Sequence, residues 1–292
     1  MKIRRFDENP LINSETPGLQ NESDNINGPS LIKVPEWVKK PLGKYYLYFA
    51  HHKGQYIKLA YSDTLQGPWK VYEPGTLFLE ETPCTSHIAS PDVHIDEENK
   101  KILMYYHGKY KTAEFPDNLQ VTFLAESQNG IDFTSGTKPL GTFYFRVFKY
   151  GSKYYAFSKS AHYNSHFLES ESLYGPFKHI KEVLPFSRHT AVLVFEDSVR
   201  VFYSRVGDSP ESIVYVDFNM ESYTHSDPTV VLFPEKDYEG INLEIKSSDS
   251  GMSLEPVREL RDPAIYKEGK DIYLLYTISG EKGIAIGKIQ NI

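Results

Sequence analysis

Lys44 to Trp69 reads KYYLYFAHHKGQYIKLAYSDTLQGPW, and Lys153 to Phe177 reads KYYAFSKSAHYNSHFLESESLYGPF. Both stretches begin with an aromatic, strand-like run and end on Gly-Pro followed by an aromatic residue. Shorter versions of the first run recur at Lys101–Gly108, Ser198–Arg205 and Asp271–Gly287. A strand-rich unit that recurs about every 45–60 residues is typical of propeller blades. We therefore predict an all-β fold, a five-bladed β-propeller with four-stranded antiparallel blades around an axial pocket.

The composition agrees with a sheet protein and excludes several partners. Aromatic residues make up 14% of the 292 residues, which favours pleated sheets. The formal net charge of −7 argues against a nucleic acid or an anionic membrane as the main partner. No apolar run is long enough to cross a bilayer, and none follows the basic N-terminal residues as a signal peptide would require. The single Cys84 excludes an internal disulfide framework. We expect a cytoplasmic protein, although a mature secreted protein would look the same.

The repeats divide residues 1–292 into five units of a single domain, although four or six blades are also compatible with them. A polar N-terminal arm spans about 7–27, and a long inter-blade excursion spans about 234–259. A strand near Ile3–Phe6 is expected to close the ring by joining the last blade. The innermost strands are predicted to start near Gly28, Ser90, Phe145, His189 and Asp262.

In such a blade the first strand starts, and the second strand ends, at the same mouth of the axis. Side chains from these positions should therefore meet. The starts contribute Asn27, Ser30, His87, Ser90, Asp92, Arg146, Arg188, His189, Arg261 and Asp262. The strand ends contribute His51, His52, His107, Lys159, Ser160, Ser204, Arg205 and Thr277, and nearby loops could add Trp37, His162 and His166.

The chain resembles the five-bladed propeller glycosidases: arabinanases and β-xylosidases, invertase-like fructosidases and mannoside phosphorylases. The resemblance rests on Ser62…Gly67-Pro68-Trp69, on Ser170…Gly175-Pro176-Phe177, and on the looser Ser127…Gly130…Phe133. It also rests on Ser90-Pro91-Asp92-Val93, on Arg261-Asp262-Pro263-Ala264-Ile265 and on Asn9-Pro10-Leu11-Ile12. It implies a carbohydrate-active enzyme, glycoside hydrolase-like, that acts on a small glycoside or oligosaccharide.

The sequence departs from these families at their acid positions. The families open the first blade with an Asp that serves as general base, whereas the matching stretch here is Asn27-Gly28-Pro29-Ser30. They take a Glu from a middle blade as general acid, whereas the third unit presents Arg146 and the fourth Arg188-His189. Asp92 and Asp262 match acid positions of the families. The resemblance therefore implies a non-standard catalytic set.

Glycoside hydrolysis needs one group that protonates the leaving oxygen and another that activates water or attacks carbon. Asp92 and Asp262 could form that pair, or each could bind backbone amides at its blade opening. Histidine can also act as acid or base near neutral pH. We therefore take Asp92, Asp262, His189 and His107 as candidate catalytic residues.

The predicted substrate-binding residues are mainly histidines, arginines and small polar residues of the mouth. Arginines could clamp an anionic group of the substrate, or each could neutralise a neighbouring acid in a buried network. Trp37 could stack on a sugar ring. The full set is Asn27, Ser30, Trp37, His51, His87, Arg146, His162, Arg188, Arg205 and Arg261.

No cofactor is predicted to be required, although a divalent metal such as calcium or zinc could bind histidines and carboxylates at the mouth. The expected partner is a small carbohydrate. Three other functions stay open: a sugar-binding propeller without hydrolysis, a phosphate-dependent glycoside phosphorylase, and a scaffold that binds protein.

Overall fold

The computed structural model describes residues 1–19, 23–110, 119–160 and 164–292. In this part of the chain the regular elements are strands and two three-residue 3-10 turns, Leu79–Glu81 and Asp237–Glu239. The strands are β1 (Lys2–Arg5), β2 (Ile12–Asn13), β3 (Asn27–Lys33), β4 (Tyr45–Ala50), β5 (Tyr56–Ser62), β6 (Lys70–Val71), β7 (Leu77–Phe78), β8 (Ile88–Asp96), β9 (Lys101–Tyr110), β10 (Leu119–Ser127), β11 (Thr134–Ser135), β12 (Gly141–Thr142), β13 (Arg146–Tyr150), β14 (Lys153–Lys159), β15 (Ser165–Ser170), β16 (Lys178–Val183), β17 (Ser187–Val194), β18 (Val199–Arg205), β19 (Ile213–Asn219), β20 (Thr224–His225), β21 (Thr229–Leu232), β22 (Arg261–Glu268), β23 (Asp271–Ile278) and β24 (Gly283–Gln290).

The strands form five antiparallel sheets, which confirms the predicted five-bladed propeller. From the axis outward, the blades are β3-β4-β5-β6, β8-β9-β10-β11, β13-β14-β15-β16, β17-β18-β19-β20 and β22-β23-β24-β1. The short strands β7, β12, β21 and β2 pair with the third strands of blades 1, 2, 4 and 5. The predicted ring closure is also confirmed, because β1 pairs with β24 from Lys2 opposite Gln290 to Arg5 opposite Gly287.

The apolar side chains form five core clusters, and each cluster lies between two neighbouring blades. Ile32 of blade 1 and Met104 of blade 2 share one cluster, and Phe157 of blade 3 and Val201 of blade 4 share another. A blade buries each face against a neighbour, so both faces carry apolar residues. This explains why aromatic and β-branched residues fill the strands without a strict polar alternation.

The repeated Gly-Pro-aromatic turns have a structural role. The glycines Gly67, Gly130 and Gly175 have positive φ of 98°, 75° and 77°, a conformation that side chains disfavour. The serine at the start of each turn accepts backbone N–H bonds, as when Ser127 Oγ receives those of Asn129 and Gly130 at 3.2 and 2.9 Å. The aromatic residues Trp69, Phe133 and Phe177 are buried between blades. The turn therefore anchors the outer part of a blade.

No helix among the described residues is long and apolar enough to span a membrane.

Candidate active site at the axial mouth

The strand registers bring the predicted mouth together. Starts of first strands face ends of second strands: Asn27 with Ala50, Ala89 with His107, Ser187 with Arg205, and Arg261 with Thr277. In each of these four blades the register shifts within the next three residues of the first strand, as a β-bulge does. Bulges redirect side chains, and here they lie in a ring around the axis.

Asp262 and His189 form a buried acid–imidazole pair at this mouth. Asp262 Oδ1 lies 2.7 Å from His189 Nδ1, and both side chains are at most 4% exposed. The Gly28 amide donates to Asp262 Oδ2 at 3.3 Å. Asp262 has a φ of 47°, an uncommon conformation for a residue other than glycine, and such strain is concentrated at functional sites.

The protonation of this pair follows from its surroundings. Burial acts to raise the pKa of Asp262, but His189, Arg188 and Arg261 outweigh it and hold the pKa well below its usual value. Burial lowers the pKa of His189 despite the attraction of Asp262. The pair is therefore a carboxylate and a neutral imidazole near pH 7. Since the carboxylate faces Nδ1, the proton sits on Nδ1 and Nε2 is left as a proton acceptor.

Tyr144 lies against this pair from blade 3. Its ring centroid is 3.7 Å from that of His189 and 4.6 Å from that of His107, and its hydroxyl is 3.3 Å from His52 Nε2. Its φ of 60° is strained for an aromatic residue. Burial lowers the pKa of His107 well below its usual value, so this histidine is neutral near pH 7 and is not a proton donor in the sense of a charged acid.

Lys159 is the cation of the mouth that can release its proton near neutral pH. Its side chain is buried, and Nζ lies 5.9 Å from the Tyr144 ring centroid. Burial, aided by the positive charge of Arg188, lowers the pKa of Lys159 to about 8. The sequence predicted that Lys159 lies at the mouth, but its lowered pKa is a consequence of its burial.

Arg188 is fully engaged in an ion pair. Nε and Nη2 donate to the two oxygens of Glu211 at 2.7 and 2.9 Å. Nη1 and Nη2 also donate to the carbonyls of Gly251 and Asp249, in the excursion between blades 4 and 5. Of the two readings that the sequence allowed, these contacts favour the buried network over a substrate clamp.

Arg261 is engaged in the same way. Its Nε donates to Glu259 at 2.7 Å, and its Nη1 donates to Glu281 at 3.1 Å and to the Gly251 carbonyl at 3.2 Å. Glu281 in turn lies 3.4 Å from His52 Nδ1. Together with Arg188 and Glu211, these residues form what we call the saturated network, which ties blades 4 and 5 to the excursion.

Asp92 and Arg146 line an axial cavity of about 200 Å³ that continues along the first strands to His94, Val192 and Ile265. Asp92 Oδ2 accepts from His94 Nε2 at 2.9 Å and from the Val147 amide at 2.8 Å. Burial acts to raise the pKa of Asp92, but His94 and Arg146 outweigh it, so the carboxyl is ionised.

Arg146 is an arginine of the mouth that has a hydrogen-bond donor without a partner among the described residues. Its Nη1 donates to the carbonyls of Pro91 and Phe145 at 3.3 and 3.0 Å. Its Nη2 is buried and has no hydrogen-bond partner among the described residues. No ion pair joins Arg146 to Asp92, although its charge lowers the pKa of that carboxyl. We call Asp92 and Arg146 the open pair.

Asp92 and Asp262 do not lie at the same level of the axis. Asp92 is the first residue of its strand that pairs after the bulge, opposite Tyr105. The equivalent residue of the last blade is Ala264, which pairs with Leu275. Asp262 comes two residues earlier, which is about 7 Å along a strand. The structure shows no contact between the two carboxylates, and each has its own histidine instead.

Gly28 explains the missing acid of the first blade. Its φ is 60°, and a Cβ built on it would lie 2.8 Å from the Ser90 Cα. An Asp at position 28 would therefore collide with the second blade. The amide of Gly28 instead binds Asp262, so the carboxylate near this point of the mouth comes from the last blade.

The remaining predicted residues are mostly paired at the rim. Asn27 donates to Asn25 at 2.8 Å, Ser30 accepts from the Val93 amide at 2.9 Å, and His51 lies 3.4 Å from Asp24. His87 Nε2 lies 3.1 Å from Gln120 Oε1, and Arg205 donates to Asp208 at 3.0 Å.

Two predicted residues are not placed at the mouth. Trp37 follows the end of β3, whereas the mouth is formed where β3 starts, so the prediction for Trp37 was wrong in position. Its indole Nε1 donates to Glu97 at 2.9 Å. His162 lies outside the described residues.

Sequence reasoning missed the acids Glu211, Glu259 and Glu281. They lie outside the strands, in the connection after β18, at the end of the excursion and in the turn after β23. Their only sequence signal is a position just after a second strand or just before a first one. It also missed Tyr144, which precedes β13 by two residues.

Unsatisfied buried polar atoms are concentrated at the axis. Buried polar side-chain atoms without a partner are rare in native proteins. Of six such atoms among the described residues, four belong to Asn27, His107, Arg146 and Thr277. A fifth is His189 Nδ1, which faces Asp262 at 2.7 Å without good hydrogen-bond alignment. The first four groups are therefore available to a polar ligand, whereas His189 Nδ1 is occupied by Asp262.

Within the described ranges, no group of three or more His, Cys, Asp or Glu side chains is arranged to hold a metal ion.

Comparison with known proteins places the chain in a family. No protein-family model matches it. It is 30% identical to the uncharacterized protein R118 of Acanthamoeba polyphaga mimivirus, in an alignment that covers 97% of this chain and 89% of the viral protein. The chain belongs to the same family as this viral protein.

Solved structures with the same fold are glycoside hydrolases. A GH43 β-xylosidase/α-arabinofuranosidase from a compost metagenome, in complex with xylotriose, is 13% identical over 99% of this chain and 96% of its own, with a TM-score of 0.69. A putative glycoside hydrolase from Parabacteroides distasonis is 11% identical over 99% and 97%, with a TM-score of 0.70. A GH43_1 enzyme from Xanthomonas citri, in complex with xylotriose, is 12% identical over 95% and 90%, with a TM-score of 0.66. At these identities the likeness establishes the five-bladed propeller fold.

Proposed function

We propose that this protein binds a small saccharide at the axial mouth and cleaves a glycosidic bond there by acid–base catalysis. The observation that carries the proposal is the buried Asp262–His189 pair, at a mouth where Asn27, His107 and Arg146 also have buried polar atoms without a partner among the described residues. The glycosidases that share the fold, two of them in complex with xylotriose, support a saccharide as ligand.

The open pair suits sugar hydroxyls. Arg146 Nη2 can donate to a hydroxyl oxygen, and the Asp92 carboxylate can accept a hydroxyl proton. Their charges cancel, so the cavity favours a neutral polar ligand over an anion or a cation. Ser30 lines the same cavity and already accepts a bond from the Val93 amide, which leaves its hydroxyl proton for the ligand.

In the proposed reaction the Asp262–His189 pair is the general base and Lys159 is the general acid. A water molecule loses a proton to His189 Nε2, and its oxygen bonds to the anomeric carbon. The glycosidic oxygen leaves with a proton from Lys159, which is charged below a pKa of about 8. Asp262 holds His189 in the tautomer with the proton on Nδ1 and stabilises the imidazolium that forms.

The test is turnover of p-nitrophenyl glycosides and neutral oligosaccharides by the purified protein, with and without phosphate. We expect Asp262→Asn and His189→Gln to lower turnover by about 10²–10⁴-fold. His179→Gln, an exposed histidine on an outer strand, is the control and should have no effect. Unchanged turnover in Asp262→Asn would overturn the mechanism. Cleavage that depends on phosphate would identify a phosphorylase instead.

Saccharide binding without cleavage is the second candidate function. It is favoured because the buried carboxylates Glu211, Glu259 and Glu281 are all held by arginine or histidine, so none offers the free carboxyl that hydrolysis commonly uses. Calorimetric binding of an oligosaccharide with no product at any pH between 5 and 9 would establish this alternative.

A further inference from the structure

Trp37 lies in a groove at the end of the propeller opposite the mouth. The groove has a volume of about 660 Å³ and is lined by Lys33, Val34, Pro35, Glu36, Trp37, Ile95 and Glu97. A second depression of about 440 Å³ shares Lys33 and Ile95 with it and extends to Tyr266 and Glu268. The two depressions together cross the far ends of the first strands of blades 5, 1 and 2. We call them the far-end groove.

The indole of Trp37 is held in one orientation. The ring packs against the apolar cluster between blades 1 and 2 and is half-buried. Its Nε1 donates to Glu97 Oε2 at 2.9 Å, which favours this orientation of the ring. A large aromatic side chain that is fixed and still borders an open groove provides a flat apolar surface at little further entropic cost.

The polar groups along the groove are of mixed charge. Lys33 Nζ lies 3.4 Å from Glu268 Oε1, and Glu268 also accepts from the Tyr45 hydroxyl at 2.9 Å. Glu36 is exposed at the other end. The groove therefore offers both hydrogen-bond donors and acceptors beside an aromatic face, without a strong excess of either charge.

We propose that the far-end groove binds an uncharged oligosaccharide, with one sugar ring stacked on Trp37. The C–H face of a sugar ring packs on the indole by dispersion, and its hydroxyls bond to the carboxylates and to Lys33. An extended chain fits a groove that crosses three blades better than a compact ligand does. A single aromatic face does not enclose a cation as an aromatic cage would.

Trp37 is distant from the proposed reaction, because it follows the end of β3 whereas His189 lies at the mouth, where the first strands start. The second depression shares Leu31, Val93 and His94 with the axial cavity of the open pair, but Trp37 does not line that cavity. The chain would then hold a saccharide at a second place, irrespective of whether the mouth cleaves it. The two proposals can fail independently: loss of turnover in Asp262→Asn leaves the groove unchanged, and loss of binding in a Trp37 variant leaves the Asp262–His189 pair unchanged.

Tryptophan fluorescence tests the proposal directly. The chain has two tryptophans, and Trp69 is only 4% exposed and packed in a core cluster, so a ligand that changes the emission acts on Trp37. The protein is titrated with xylohexaose as the neutral probe, and with a chitosan hexamer and an oligogalacturonate of equal length as cationic and anionic probes. We expect the neutral probe to shift the emission with saturation, and Asp262→Asn to give the same shift.

The variants test the stacking and the orientation of the ring. The calorimetry is done in an Arg146→Met background, which weakens saccharide binding at the mouth. It should show binding of xylohexaose weakened about tenfold or more by Trp37→Ala and less by Trp37→Phe, which keeps a ring. Glu97→Gln, which keeps an acceptor for the indole, should bind as Arg146→Met alone does. Unchanged emission with xylohexaose, a response to the charged probes alone, or full binding by Trp37→Ala would each overturn the proposal.

Discussion

The two sides of the axial mouth differ in how completely their buried charged groups are paired. In the saturated network of blades 4 and 5, Arg188 and Arg261 donate to three buried glutamates and to the excursion. In the open pair of blades 2 and 3, Arg146 keeps a buried donor that has no partner among the described residues, and it forms no ion pair with Asp92. The difference indicates that the saturated network stabilises the fold, whereas the open pair and the Asp262–His189 pair beside it are available to a ligand.

The largest expected effect is on stability, from Glu211→Gln in the saturated network. Breaking a buried ion pair leaves an uncompensated charge, here Arg188, and costs about 3–5 kcal/mol of unfolding free energy. Chemical denaturation of the purified variant measures this cost.

The matched control for this prediction is Asp217→Asn in the same blade. Asp217 pairs with Arg200 at 2.7 Å, but its side chain is 56% exposed. An exposed pair contributes at most about 1 kcal/mol. If Glu211→Gln were as mild as this control, the network would not be what stabilises blades 4 and 5.

A smaller effect on stability is expected from Arg146→Met in the open pair, and the variant should also weaken binding. The variant removes a buried charge and its unsatisfied donor, but it also leaves the Pro91 and Phe145 carbonyls without this donor, so the free energy of unfolding should fall by about 1–3 kcal/mol. Loss of a hydrogen bond to a charged donor should weaken saccharide binding by roughly 10–100-fold. Calorimetry measures the saccharide affinity and chemical denaturation measures the free energy of unfolding, both on the same preparation.

Asp92→Asn provides the reciprocal measurement. It keeps the size of the side chain and removes the charge that accepts a hydroxyl proton, so it should weaken binding without a large loss of stability. A large loss of stability in both Arg146→Met and Asp92→Asn, with unchanged binding, would show that the open pair is a structural element like the saturated network.

The smallest expected effect is the response of turnover to pH. Lys159 must be protonated to supply a proton, and its pKa lies at about 8. Turnover should therefore be about half of its maximum at pH 8 and fall further above it. His189 must be neutral, and its pKa is lowered by burial, so turnover should persist to below the usual histidine pKa before it falls on the acid side. Turnover that rises from pH 8 to pH 9 would remove Lys159 from this role.

The sequence was sufficient for the architecture. The repeated runs and Gly-Pro-aromatic turns predicted five blades, the starts of their first strands and the closing strand at Ile3–Phe6, and all three predictions are confirmed. These features are local: strand propensity, turn glycines with positive φ and serines that accept nearby amides require only neighbouring residues. Because the sequence repeats, these local features occur several times in the chain, and this makes them recognisable.

The composition of the mouth was predictable only in part. Strand topology correctly brought Asp262, His189, Arg188, Arg261 and His107 to one end, but it could not show which charges neutralise each other. Glu211, Glu259 and Glu281 lie in connections between strands, whose course the strand pattern does not predict. Trp37 was assigned to the wrong end of the axis because it follows the end of β3 rather than its start.

The sequence by itself determined the fold, the ring order of the blades and the supply of histidines and arginines to the axis. Only the tertiary structure decided that Arg188 and Arg261 donate to buried glutamates, whereas Arg146 Nη2 has no partner among the described residues. It also decided that Asp262 pairs with His189 and that burial brings the pKa of Lys159 to about 8. The physical reason is that charge pairing and burial depend on contacts between blades that are distant in sequence. Strand and turn formation depend on residues close in sequence.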